Sequence, residues 1–223
     1  MDDTKWERYG ALGGIWFVVL AVIGGFLPGS MPGRNDPVAE IAEFYADKDA
    51  AIQTWAFLTG IGVIGLIWWF GTLWRAMVDA EGRPRLAVIA LFGLVISGIG
   101  AITGMIINAG TAAAIDMAGE GSAMFFDMSS IAFGFSSIGD VILTVAVAAL
   151  IIRTTFLPIW AAYASLVSAI VSLIASFAII SDENFFGVFG FIAFLVWSAW
   201  ILMMSGLLYQ RIKSPTATAT ATP

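Results

Sequence analysis

Of the 223 residues, 60% are apolar and only 12% charged, with a mean hydropathy of +0.93 and a formal net charge of −6. This composition excludes a water-soluble domain and makes lipid the solvent. Cysteine and histidine are both absent, which excludes disulfides, thiolate metal sites, a cysteine nucleophile, His-ligated haem and the commonest general base.

A hydrocarbon core of about 30 Å needs roughly 20 helical residues to cross it. Six apolar stretches meet that length, at about 10–28, 52–75, 86–108, 130–152, 157–180 and 185–209. The expected fold is therefore all-α: one polytopic membrane domain over 1–213, a bundle of six transmembrane helices. The first stretch follows a short basic region like a secretory signal, but it lacks a convincing cleavage site and five spans follow, so it reads as an uncleaved span. With the amino terminus inside, Lys5, Arg8, Arg75, Arg83, Arg85, Arg153, Arg211 and Lys213 fall on the cytoplasmic side, against Arg34 and Lys48 outside. That bias predicts cytoplasmic N- and C-termini. The acids run the other way, from Asp36, Glu40 and Glu43 to Asp127, Asp182 and Glu183. An acidic outer face disfavours polyanionic partners.

In the first outer loop, Asp36-Pro37 reads as an N-cap followed by proline at the first helical position. Val38, Ile41, Phe44 and Tyr45 then recur at helical spacing, with Glu40, Glu43 and Asp47 opposite. This predicts a short interfacial helix over about 37–47, either a connector burying its apolar face or a lid. The tail SPTATATATP at 214–223 is expected to be disordered. KWERYGAL and IWAAYASL share W-x-x-Y-x-x-L at the entries to the first and fifth spans, the mark of a parallel hairpin repeat or of two ordinary aromatic belts.

The fourth span carries the unusual feature. Ser129, Ser136, Ser137, Asp140 and Thr144 form a polar stripe down one side, which must face other helices or a water-filled cavity. Asp140 lies thirteen residues before Arg153, roughly 20 Å from that edge and a little beyond the midplane. Counting from the same anchors puts Ser172 and Thr103 near its depth, with no lysine or arginine at that level. An ionised aspartate at a helix centre costs about 3 kcal/mol on the insertion scale. Protonating a free carboxyl at neutral pH costs about 4 kcal/mol, so the two states lie close. Asp140 is thus a proton or cation site, an interhelical hydrogen-bonding residue, or a group awaiting a cation from another subunit.

Ser165, Ser168, Ser172 and Ser176 in the fifth span, and Gly93, Ser97, Gly100 and Gly104 continuing to Asn108 in the third, are small-residue seams that let helices approach. They suggest that the third, fourth and fifth spans form a tight centre, and they also offer faces for a protein partner or a homo-oligomer. Trp16, Trp68, Trp69 and Trp200, with Trp197 near the middle, gather toward the cytoplasmic half, where they either line a pocket for a lipid, quinone or other flat apolar ligand or face lipid. No span contains lysine, so a retinal Schiff base is excluded. No nucleotide motif, nucleic-acid patch or second acid for an aspartyl protease appears. Neither enzyme activity nor a cofactor is expected.

The opening KWERYGALGG, the loop AEIAEFYADKDA leading into the second span, and the turn RTTFLPIWAAY ahead of the fifth resemble uncharacterised six-helix membrane proteins frequent in actinobacteria. The resemblance implies a bacterial plasma membrane and six spans, and brings no functional residues with it. The leading expectation is a non-enzymatic accessory or interaction subunit, or a small homo-oligomer. The alternatives are a proton- or cation-coupled transporter or channel using Asp140, and a lipid or quinone binder.

Overall fold

The computed structural model describes residues 3–181 and 183–213; Asp182 and the expected tail at 214–223 lie outside the described residues. The helices are α1 (Asp3–Phe26), α2 (Val38–Asp47), α3 (Asp49–Glu81), α4 (Leu86–Ala113), α5 (Ile115–Ala118), α6 (Ser122–Thr154), α7 (Ile159–Ser176) and α8 (Asn184–Lys213), with 3-10 turns at Gly119–Gly121 and Phe177–Ile179. Six of these, α1, α3, α4, α6, α7 and α8, are long and apolar enough to cross a membrane. In lipid every backbone polar group must be satisfied within the segment, so such runs have no option but to be helical.

The breaks fall where the sequence removes that option. Gly82, at φ +72, ends α3 by donating its N–H to the Val78 carbonyl, and Pro84 prevents the helix from continuing. Pro158 stands at the N-cap of α7. The spans that most outgrow their expected bounds are α3 and α6, each of 33 residues, about 50 Å of helix. For α6 the extra turns ahead of the expected start at 130 hold Asp127 and Ser129. There Ser129 and Ser130 donate to the Phe126 carbonyl and Asp127 pairs with Arg34, so the polar groups are satisfied without leaving the helix. Asp36 does not cap α2. Its Oδ2 accepts from Gly33 N at 2.7 Å, and the helix starts at Val38 behind Pro37.

The six spans stand in a ring in chain order: α1 packs on α3, α3 on α4, α4 on α6, α6 on α7, α7 on α8, and α8 returns to α1. At one end, here called the basic end, Glu7 pairs with Arg75, and Arg211 donates to the Ala76 carbonyl. The other, acidic end is covered by α2, whose Ile41 and Tyr45 are fully buried against Ile52, Ala112 and Phe126. The tightest join is α4 on α6. A methyl group at Gly139 would collide with Ser97 N and lie 2.6 Å from Gly93 O, and one at Gly100 would lie 2.5 Å from Ser136 N. The backbones therefore meet through glycine, as the small-residue seam predicted. The half of the interior nearer the basic end is filled by Trp69, Leu73, Met77, Leu143, Leu150, Ile151, Ile201 and Met204, all at 0% exposure.

Candidate functional site

Asp140 lies at the edge of the α4–α6 seam. Ser97 Oγ donates to its Oδ1 at 2.6 Å and stands 3.2 Å from Ser136 Oγ. Among the described residues Asp140 Oδ2 takes no hydrogen bond, and the residue is half-buried. Phe133, Asp140 and Val147 follow one another at intervals of seven, so they share one face of α6. Phe133 stacks on Trp55 of α3 across the ring and Val147 enters the core, so that face looks inward.

The rest of the polar stripe divides. Ser137 donates to the Phe133 carbonyl and Thr144 to the Asp140 backbone carbonyl, both closing on their own helix. Ser129 joins a second cluster under the lid, where Ser129 Oγ and Tyr45 Oη both donate to Asn108 Oδ1. Burial pushes the Tyr45 phenol above the ordinary tyrosine value, the Ser129 hydroxyl offsetting part of the shift. Two expected partners of Asp140 are not brought to it. Thr103 is exposed, because six residues of helix turn it about 120° away from Ser97. Ser172 is buried on α7, but α7 and the turn after it meet α6 along the flank of Gly134, which packs on Ile179. Thr103 also stands six residues, about 9 Å, along α4 from Ser97, so depth counting misplaced it in level, and the count could not give the direction around the helix.

Ser97 was the missed partner, and its signal was in plain view: it is the polar member of the glycine seam that faces α6. Arg34 was missed as well. Its guanidinium donates to Asp127 Oδ1 at 2.9 Å and to the carbonyls of Ala178 and Ser181, both at 2.8 Å. It therefore ties the first outer loop to α6 and to the carbonyl end of α7, where the helix dipole favours a cation.

The five tryptophans do not form one pocket. Trp16 and Trp68 face outward, Trp68 stacking on Trp6, whereas Trp69, Trp197 and Trp200 are buried. Trp69 and Trp200 meet edge to face at 5.8 Å, and the Trp200 indole donates to Ser165 Oγ at 2.8 Å. The repeated W-x-x-Y residues Trp6, Tyr9, Trp160 and Tyr163 are all exposed, as interfacial belts require.

Among the described residues Asp140 has no ion-pair partner. The two ion pairs among the described residues, Arg34–Asp127 and Glu7–Arg75, lie at the two ends of the bundle. No three Asp or Glu side chains cluster among the described residues, so a cage for a divalent ion is not built there. One carboxylate and two hydroxyls match a single positive charge, a proton or a monovalent cation. The chain matches no family model, no curated protein and no solved structure.

Proposed function

We propose that the protein is a non-enzymatic carrier or channel for protons or a small monovalent cation in a bacterial plasma membrane, with Asp140 as the exchange group. One observation carries this reading: an inward-facing carboxylate near mid-membrane with one oxygen held by Ser97 and the other left unbonded. A residue serving only to join helices would use both oxygens, because an unpaired carboxylate oxygen in a low-dielectric interior is costly. The inward face also removes Asp140 from the reach of a cation on a second subunit.

The accessory-subunit and homo-oligomer reading is less well supported. The glycine and serine faces that would serve it are spent inside the bundle, between α4 and α6 and around the buried Ser165, Ser168 and Ser172. The lipid or quinone reading loses its pocket with the division of the tryptophans. The basic end is assigned to the cytoplasm by its excess of lysine and arginine.

The test is ion flux into proteoliposomes under an imposed potential, with an internal pH dye and with sodium or potassium as separate probes. Wild type is expected to conduct one of these, and Asp140→Asn to fall by at least about tenfold, with Asp140→Glu retaining part of the flux. Equal flux in wild type and Asp140→Asn overturns the proposal.

A further inference from the structure

Two halves of the interior differ on either side of Asp140. Toward the basic end Leu143, Val147 and Ile151 of α6 are at 0% exposure, as are Trp69 and Leu73 of α3. Toward the acidic end Trp55, Thr59, Phe133, Ser136 and Ser137 are all half-buried. The basic side of Asp140 is packed as a seal, whereas the layer on its acidic side retains accessible surface around its side chains, beneath the buried cluster of Ile41, Tyr45, Ile52 and Phe126.

Between Asp140 and the lid stands a single aromatic layer. Trp55 and Phe133 stack at a centroid separation of 6.2 Å. Trp55 lies against Gly24 of α1, and the Phe133 ring lies against Gly104 of α4, so the pair bridges four of the six spans. Helices α3 and α6 run in the same direction, so Thr59 stands level with Ser137, and Gly62 with Asp140. Phe17, which packs on Gly62, also meets Trp197 edge to face, placing Trp197 at the same depth. Thr59 Oγ1 and Trp197 Nε1 are buried donors with no hydrogen-bond partner. Buried donors ordinarily find an acceptor, from the protein or from water. Two of them stand level with Asp140, where water would satisfy them; Trp69 Nε1 and Ser205 Oγ in the basic half are also buried without a partner, so the two halves are told apart by their packing.

We infer that Asp140 is loaded from the acidic end, through a gate made of Trp55 and Phe133, while the basic half of the bundle stays shut in this state. The glycines beside both residues are part of the device: Gly24 lets α1 approach the backbone and Cδ1 edge of Trp55, and Gly104 leaves room for the tip of the Phe133 ring, where a side chain would collide. The inference rests on the reading of Asp140 as the exchange group, but its test is separate.

Because the chain has no cysteine, one introduced thiol reports on one position. Ser137→Cys, on the Asp140 side of the gate, is treated in proteoliposomes with a membrane-impermeant thiosulfonate. Asn35→Cys and Arg83→Cys, at exposed turns of the acidic and basic ends, identify the side from which the reagent acts. Slow modification of Ser137→Cys from the acidic end is expected, rising about tenfold when Trp55→Ala or the milder Phe133→Leu is added, as for a hydrophobic constriction. Val147→Cys in the seal is expected to stay unmodified from either side. Faster labelling of Ser137→Cys from the basic end, or a rate indifferent to both gate substitutions in protein that still unfolds like wild type, overturns the inference. Unchanged flux in Asp140→Asn sinks the role of Asp140 and leaves these labelling rates as they are, so the two failures are told apart.

Discussion

Gly139 and Gly98 both sit in spanning helices, and the structure separates them sharply. A side chain at Gly139 meets backbone atoms of Ser97 and Gly93, which cannot move without parting α4 from α6; Gly98 has nothing within 4 Å. Gly139→Ala is therefore expected to destabilise by about 1 to 3 kcal/mol, whereas Gly98→Ala causes no loss. Thermal unfolding of the two variants in detergent checks the difference, and equal midpoints would contradict the seam. Ser97→Ala leaves that seam closed and removes the donor to Asp140 Oδ1, with an expected cost of about 1 kcal/mol. At this scale the sequence was readable in one dimension. The spacing of Gly93, Ser97, Gly100 and Gly104 announced a close approach, and the count from Arg153 put Asp140 toward the middle of its helix, as α6 does. Which hydroxyl would face it depended on the rotation of α4 about its axis, which only the packed bundle sets.

Helix α2 is the element whose role the sequence left open. Its pattern of Val38, Ile41, Phe44 and Tyr45 specified a helix with one apolar face, and the structure uses that face as a cover over the acidic end. Periodicity reports which residues are buried and is silent about what buries them. Two fastenings hold the cover: the Tyr45 phenol on Asn108, and the Arg34 guanidinium on Asp127 and the end of α7. They are expected to respond to different conditions. Burial keeps Tyr45 protonated above the ordinary tyrosine value of about 10. Its contribution is fully present below that pH and is lost as pH rises toward the folded-state value, because the unfolded chain gives up its proton first. Thermal stability in detergent should fall above about pH 10, and Tyr45→Phe should flatten that part of the profile. Arg34→Gln removes three bonds from a residue whose side chain is 15% exposed. Backbone hydrogen exchange over residues 29–47 and 177–181 is expected to quicken in that variant at neutral pH, with the spans unchanged; uniform exchange across the chain would show that Arg34 supports the whole bundle instead.

For the whole molecule, the number of the spans was legible because lipid leaves a backbone so little choice. The closed ring was not, since hydropathy gives crossings and no neighbours. Ring closure has a consequence for assembly. Lipid tails are as apolar as leucine, so helices in a membrane associate through close packing and hydrogen bonds and not through water exclusion. The surfaces that pack closely here, Gly93 to Asn108 on α4 and Ser165 to Ser172 on α7, are already turned inward. What remains outside is bulky and branched, including Phe92, Ile99 and Ile106 on α4 and Val167, Ile170 and Leu173 on α7, a surface that lipid solvates as well as another helix would. The protein is accordingly expected to sediment in mild detergent as a monomer of 23.7 kDa plus its bound detergent. Flux per molecule should also stay constant as the protein-to-lipid ratio in the vesicles is lowered. A stable dimer whose dissociation abolished flux would mean that the outward faces of α4 or α7 do the work now assigned to the interior of a single ring.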